Sequence, residues 1–226
     1  MTSKTHPTKS KAQISRRGFL KTSGALACAF TGTAVCLPIV AVDAETRPSG
    51  PEQGPNIIGP REPFSPEIGT LVSMLKWMRR VILQPVQGLT VAQLDHLHDG
   101  KANSIGALLL HLAAIERLYQ IHTFDGKKWG DVDSETEKQW GAPARLGNEA
   151  RKSVYGHELA YYLDKLKEVR AHTLAELEKR DDAWLMQVDS KSSGEPMNNY
   201  CKWFHVCEHD SHHNGQITWL KGRLPG

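Results

Sequence analysis

The sequence is short of cysteine, of strand-forming runs and of net charge, and each shortage narrows what the chain can be. Of its four cysteines, Cys28 and Cys36 fall in an N-terminal stretch that reads as a targeting segment. Cys201 and Cys207 remain, both in one amphipathic segment. Six residues of helix separate their Cα atoms by about 9 Å of rise, too far for a disulfide. The pair is therefore expected to be two buried free thiols. Strand signals are scarce and no internal repeat is visible, which leaves helix packing as the way to build a core.

The small positive charge belongs to the N-terminus. Lys4, Lys9, Lys11, Arg16, Arg17 and Lys21 lie in the first 44 residues with a single acid, Asp43. Without that segment the 28 basic residues fall to 22, the 25 acidic residues to 24, and the formal charge from +3 to −2. Nothing remains that argues for nucleic acid or for an anionic membrane surface. A long hydrophobic run is also missing. Gly24 to Val42 is apolar, but Thr31, Gly32 and Thr33 make it weak as a membrane span.

Ser15-Arg16-Arg17-Gly18-Phe19-Leu20-Lys21 is similar to the twin-arginine export signal. The apolar stretch after it and the small-residue pattern Val42-Asp43-Ala44 complete a cleavable signal over residues 1–44. Retained anchoring is the alternative. Export by the twin-arginine machinery to the periplasm, or another extracytoplasmic space, is the expectation. The cleaved protein then has no stable membrane association. Residues 45–64 carry Pro48, Pro51, Pro55, Pro60 and Pro63 among glycines and are expected to be a linker.

Residues 65–223 are expected to form one all-α domain, a four-helix bundle with a long connection between its second and third helices. The first segment opens with Ser65 as N-cap and Pro66 at the first helical position, and puts Ile68, Leu71, Leu75, Met78 and Ile82 on one face. The second, from Asn103-Ser104 to about His122, carries Leu108, His111, Ile115 and Leu118. The third, about His157 to Lys179, carries Leu159, Leu163, Leu166, Arg170, Thr173 and Leu177. The fourth, about Asn199 to Lys221, carries Val206, His209, His213, Ile217 and Leu220. The connection 123–156 holds Trp129, Trp140 and Tyr155, with a capping-box pattern beginning at Ser134. A connection so long serves as a lid or binding loop, or else simply covers the bundle.

Three histidines on the fourth segment form a ladder at spacing four: His205, His209 and His213. Neighbouring rungs aim their rings at one point, whereas the ladder's ends are about 12 Å apart. His209 belongs to both pairs, and His213 is the better partner because Ile217 and Leu220 continue its inward stripe. Two imidazoles are half of a metal site, and His111, alone on an apolar helix face, is the candidate third ligand. His212 is rotated away by about 100° and His122 lies about 16 Å beyond His111. His96 and His98 carry no functional expectation.

Asn103-Ser104-Ile105-Gly106 through His111 to Glu116, with His209-x-x-x-His213-x-Gly-Gln, resembles the DinB-like superfamily of metal-binding four-helix bundles. That superfamily includes bacillithiol- and mycothiol-dependent S-transferases. The resemblance runs from about Pro66 to Gly222. It implies a divalent metal on three histidines, one from the second helix and two from the fourth, which fall on His111, His209 and His213. It also implies that the second and third helices run parallel across a long crossover.

Three neutral imidazoles leave a coordination position open, which is the pattern of a catalytic site. A divalent transition metal, zinc or nickel by donor type, would there lower the pKa of a bound water or thiol. Arg170 falls mid-stripe, either to hold a substrate carboxylate or to pair with a core acid. Glu116 and Glu208 are rotated about 140° and 120° from the histidines, so no general base stands in the obvious places. The expected function is an exported metal-dependent transferase of the thiol type with a small-molecule substrate, the bundle assembling as a homodimer or acting alone. The alternatives are a non-catalytic metal-binding or accessory protein and a metal-dependent hydrolase.

Overall fold

Four long amphipathic helices form where the apolar stripes fall. The computed structural model describes residues 54–189 and 195–225. The signal expected at 1–44 and the first part of the expected linker lie outside the described residues. In chain order the elements are α1 (Pro66–Val86), α2 (Val91–Asp95), α3 (Ile105–Thr123), α4 (Ser134–Arg145), α5 (Gly147–Ser153), α6 (Leu159–Glu178) and α7 (Asp182–Met186). A two-stranded antiparallel ribbon of β1 (Val188–Asp189) and β2 (Met197–Asn198) leads into α8 (Asn199–Lys221). No helix among the described residues is long and apolar enough to cross a membrane.

Contacts between side chains fix the helix directions. Gly106 packs on Tyr162, Glu116 on Arg170 and Gln120 on Thr173, so α3 and α6 run parallel. Arg79 reaches the Leu166 carbonyl and Arg170 the Leu75 carbonyl, so α1 is antiparallel to α6. His111 meets His213 while Tyr119 meets His205, which sets α3 antiparallel to α8. The chain must therefore cross the length of the bundle between α3 and α6, and α4 and α5 lie on that crossover. Gly106 leaves room for the Tyr162 ring: a Cβ there would lie 2.6 Å from the Tyr162 hydroxyl oxygen.

Apolar packing comes in two clusters with a polar layer between them. One gathers Leu108, Leu112, Leu166 and Ile217, the other Ile68, Leu71, Leu75, Trp203 and Val206. Each such side chain, fully buried, contributes about 1.5–3 kcal/mol. On every long helix the polar residues sit between the two clusters: Arg79 on α1, Glu116 on α3, Arg170 on α6 and Asp210 on α8. All four helices are tied there.

Three expectations need correction. Residues 54–64 are not a free linker: Gly59 N donates to Ser73 Oγ (3.1 Å), Trp77 Nε1 to Asn56 Oδ1 (3.3 Å) and Arg80 to the Pro55 carbonyl (3.1 Å). The Arg61 backbone lies so close to Gly69 that a side chain at 69 would collide with it. Prolines and glycines here shape a strap that lies against α1. Next, the Ser65 hydroxyl does not cap α1. It donates to Asp182 Oδ1 (2.6 Å), which also accepts from the backbone N–H groups of Glu67 (3.0 Å) and Ile68 (3.1 Å), so the cap arrives from α7. Finally, the cap of α4 is Asp133, accepting from Thr136 N at 2.8 Å, one residue before the expected Ser134.

Candidate metal centre

α3 and α8 bring the three expected ligands together. The Nε2 atoms of His111 and His213 each lie 3.1 Å from Nε2 of His209. Each of the three residues offers a ligand nitrogen within 4.8 Å of the others. Metal–nitrogen bonds of about 2.0–2.1 Å at tetrahedral or octahedral angles hold adjacent nitrogens about 3 Å apart, close to what is seen. His111 and His213 are buried and His209 is half-buried. Their spacing follows from the helix: one turn stacks His209 under His213, and antiparallel α3 brings in His111 from the side.

The outer nitrogens fix the tautomers. Nδ1 of His111 lies 2.9 Å from the Pro143 carbonyl oxygen and Nδ1 of His213 lies 3.0 Å from Gln216 Oε1. Both partners are acceptors, so each Nδ1 carries the proton and each Nε2 presents a lone pair inward. His209 Nε2 has at most one proton to meet two lone pairs. A cation satisfies all three at once, which is why the donor set fits a divalent metal.

Electrostatics favours the same state. Burial, with the neighbouring His213, pulls the His111 pKa down to about 4, despite an opposing hydrogen bond to Pro143. Burial together with His213 and His111 brings His209 down to about 3, and burial lowers His213 as well. All three are neutral at pH 7, the form that ligates metal.

Pro143 is free to accept because α4 ends abruptly. Its carbonyl would ordinarily bond the N–H four residues on, that of Gly147. Gly147 N instead donates to Asn103 Oδ1 at 3.0 Å, where the chain takes positive φ at Leu146 (55°) and Gly147 (62°). The crossover thus supplies the second partner of a ligand, a role missed in the sequence. The only signal was a proline inside a helix followed by Leu146-Gly147.

Arg170 lies elsewhere. Its Nε donates to Glu116 Oε1 (2.6 Å), Nη2 to Glu116 Oε2 (3.0 Å) and Nη1 to the Leu75 carbonyl (2.7 Å), with Asp210 Oδ2 at 3.5 Å. Arg79 Nη2 donates to Glu116 Oε2 (2.9 Å) and Thr173 Oγ1 to Glu116 Oε1 (2.6 Å). The substrate-binding role expected for Arg170 is therefore corrected to the core ion pair. Burial pushes Glu116 up, but Arg170 and Arg79 outweigh it and hold the carboxyl below its usual range. For Asp210 burial wins over the two arginines and its pKa is raised. Among the described residues no carboxylate joins the histidine cluster.

The other histidines have their own partners. His205 is exposed and pairs with Glu208 at 3.1 Å. His122 Nδ1 donates to the Lys127 carbonyl (2.7 Å), and His212 Nε2 accepts from Gln216 Nε2 (3.0 Å). Cys201 and Cys207 are both free, but only Cys207 is buried; Cys201, in the first turn of α8, is exposed. On the crossover Trp140 is buried against the bundle, whereas Trp129 is half-exposed over Tyr119 and Tyr155 faces solvent.

Known proteins agree with this architecture. The family model described as mycothiol-S-transferase matches residues 70–226. A solved structure described as the conserved protein of locus from Enterococcus faecalis shares the fold, with a TM-score of 0.51 and 21% identity over 67% of this chain and 92% of that one. No curated protein matches. An all-α DinB-like bundle with a three-histidine cluster able to hold a metal is thus in hand, and the chain belongs to the mycothiol S-transferase family.

Proposed function

We propose that this protein is an exported, metal-dependent S-transferase that joins a low-molecular-weight thiol to a small electrophile. The observation that carries the reading is the convergence of three histidine Nε2 atoms with no carboxylate of the described residues among them. His111, His209 and His213 would hold a divalent metal, zinc or nickel by donor type, which when bound would act as a Lewis acid that lowers the pKa of a thiol. Pro143 and Gln216 hold the His111 and His213 rings in the ligating tautomer. Glu116 and Asp210 are committed to Arg170, which leaves water without a nearby general base and disfavours hydrolysis. In the transfer, the thiol sulfur bonds to an electrophilic carbon, the leaving group departs with the bonding pair, and the thiol proton passes to solvent.

Purified protein loaded with zinc or nickel, given mycothiol or cysteine and a chloromethyl fluorophore, tests this. Expected is thioether formation that His209→Ala reduces at least about a hundredfold. Equal rates in the two proteins would remove the transferase reading.

Export rests on Arg16-Arg17 and the apolar stretch behind them. Mature protein beginning near Glu45 should appear outside the cytoplasm, and Arg16→Lys with Arg17→Lys should trap precursor inside. Unaltered export of the double variant contradicts the twin-arginine route.

A further inference from the structure

Beside the histidine cluster, between the start of α3 and the last turns of α8, lies a cavity of about 520 Å³. That volume suits a small molecule. Part of the lining is apolar, made by Leu108, Leu220 and Trp219. Trp219 is 46% exposed yet held in place: the Arg223 guanidinium lies 3.9 Å from its ring centroid, and the His98 ring packs T-shaped against it at 4.8 Å. An exposed aromatic ring fixed in this way is a prepared surface.

The lining also has a polar part, with Lys101, Asn103 and Gln216. No acidic side chain lines the cavity, and the Lys101 ammonium is the one lysine or arginine charge in its lining, with Asp99 near enough to feel it. Gln216 is the same residue that accepts from His213 Nδ1, so the cavity and the histidine cluster share a side chain.

Gly215 also lines it. Glycine is the poorest residue for a helix interior other than proline, and this one sits well inside α8. Packing does not demand it: a Cβ at 215 would find nothing within 4 Å. What the missing side chain provides is open volume.

We propose that this cavity binds a small amphipathic carboxylate, its apolar body on Trp219, Leu108 and Leu220 and its carboxylate on Lys101. The apolar side chains select the body, the Lys101 ammonium selects the charge, and Gly215 keeps the space clear. Binding is independent of the metal reading, because none of the three histidine ligands is needed to hold the molecule.

The test is calorimetric titration of the full chain with octanoate, with octylamine and octanol as controls and metal content measured in parallel. Expected is one saturable octanoate site per chain, with both controls at least about tenfold weaker. Lys101→Met, on a surface loop, should weaken octanoate about tenfold, and Gly215→Leu should abolish binding by filling the space. Both variants should retain the metal content of the parent. Absence of saturable octanoate binding overturns the proposal. So does octylamine binding as tightly as octanoate, or Lys101→Met binding at full strength. Loss of metal from the parent with octanoate binding intact would instead remove the metal reading and leave the cavity assignment standing.

Discussion

Nδ1 of His111 and the carbonyl oxygen of Pro143 lie 2.9 Å apart, and this contact joins the crossover to the metal centre. It exists because Gly147 N turns away to Asn103 Oδ1 and leaves the carbonyl unclaimed.

Asn103→Ala should therefore weaken metal binding without touching a ligand. With its acceptor gone, Gly147 N is free to compete for the Pro143 carbonyl. Loss of a ligand's outer partner costs about 10–100-fold in affinity. Chelator competition on the variant should fall in that range; parent-like affinity would show that the break in α4 has no bearing on His111.

Glu116 and Arg170 should behave as one unit in stability. Glu116→Ala leaves two buried guanidinium groups facing each other and should cost about 3–5 kcal/mol in urea unfolding. Glu116→Met combined with Arg170→Met should cost distinctly less than the two single changes added together, since Glu116 and Arg170 no longer face each other's loss, leaving only Arg79 and Asp210 short of a partner. Additive losses would mean that the pair is not coupled.

Acid should destabilise the metal-free protein. His111 and His209 titrate at about 4 and about 3 in the fold, against 6.5 unperturbed, so the unfolded chain binds their protons first. Their contribution is complete above pH 6.5 and is lost as pH falls through the folded values. At pH 5 the loss from buried His111 is on the order of 2 kcal/mol, and that from half-exposed His209 is smaller. Urea midpoints with chelator at pH 7.5 and pH 5 should differ accordingly, and His111→Gln should flatten the difference. A His111→Gln profile as steep as the parent's would contradict the assignment.

The cysteines should separate by reactivity. Cys201 is exposed, while burial, with Asp210 nearby, pushes the Cys207 thiol up to about 11. A neutral alkylating agent at pH 7.5 should modify Cys201 in the folded protein and Cys207 only after unfolding. Mass analysis showing both modified at one rate would place Cys207 at the surface.

Much of the bundle was legible because periodicity reports burial directly. α8 spans Asn199–Lys221, the range that its stripe predicts, and α6 and α3 depart from their expected ends by one or two residues. The inward direction of Arg170 was also readable, but not its partner: Glu116 is 54 residues away, and spacing along one helix says nothing about what faces it across the bundle. The N-cap position of α1 at Ser65 was readable, but the carboxylate that does the capping was not, for the same reason: Asp182 lies 117 residues from Ser65. The ligand triad was visible because two of its members share a helix turn. Its outer support from Pro143 depends on the positive φ angles at 146 and 147, which composition does not encode for a leucine.

Metal content of the six histidine variants bears most directly on the centre. The parent should carry about one divalent metal per chain. His111→Ala, His209→Ala and His213→Ala should each lose most of it, because two imidazoles are a half-site. His205→Ala, His122→Ala and His212→Ala should retain it, because those rings are engaged with Glu208, Lys127 and Gln216. Retention in the first three, or loss on His205→Ala with retention on His213→Ala, would contradict the three-histidine centre.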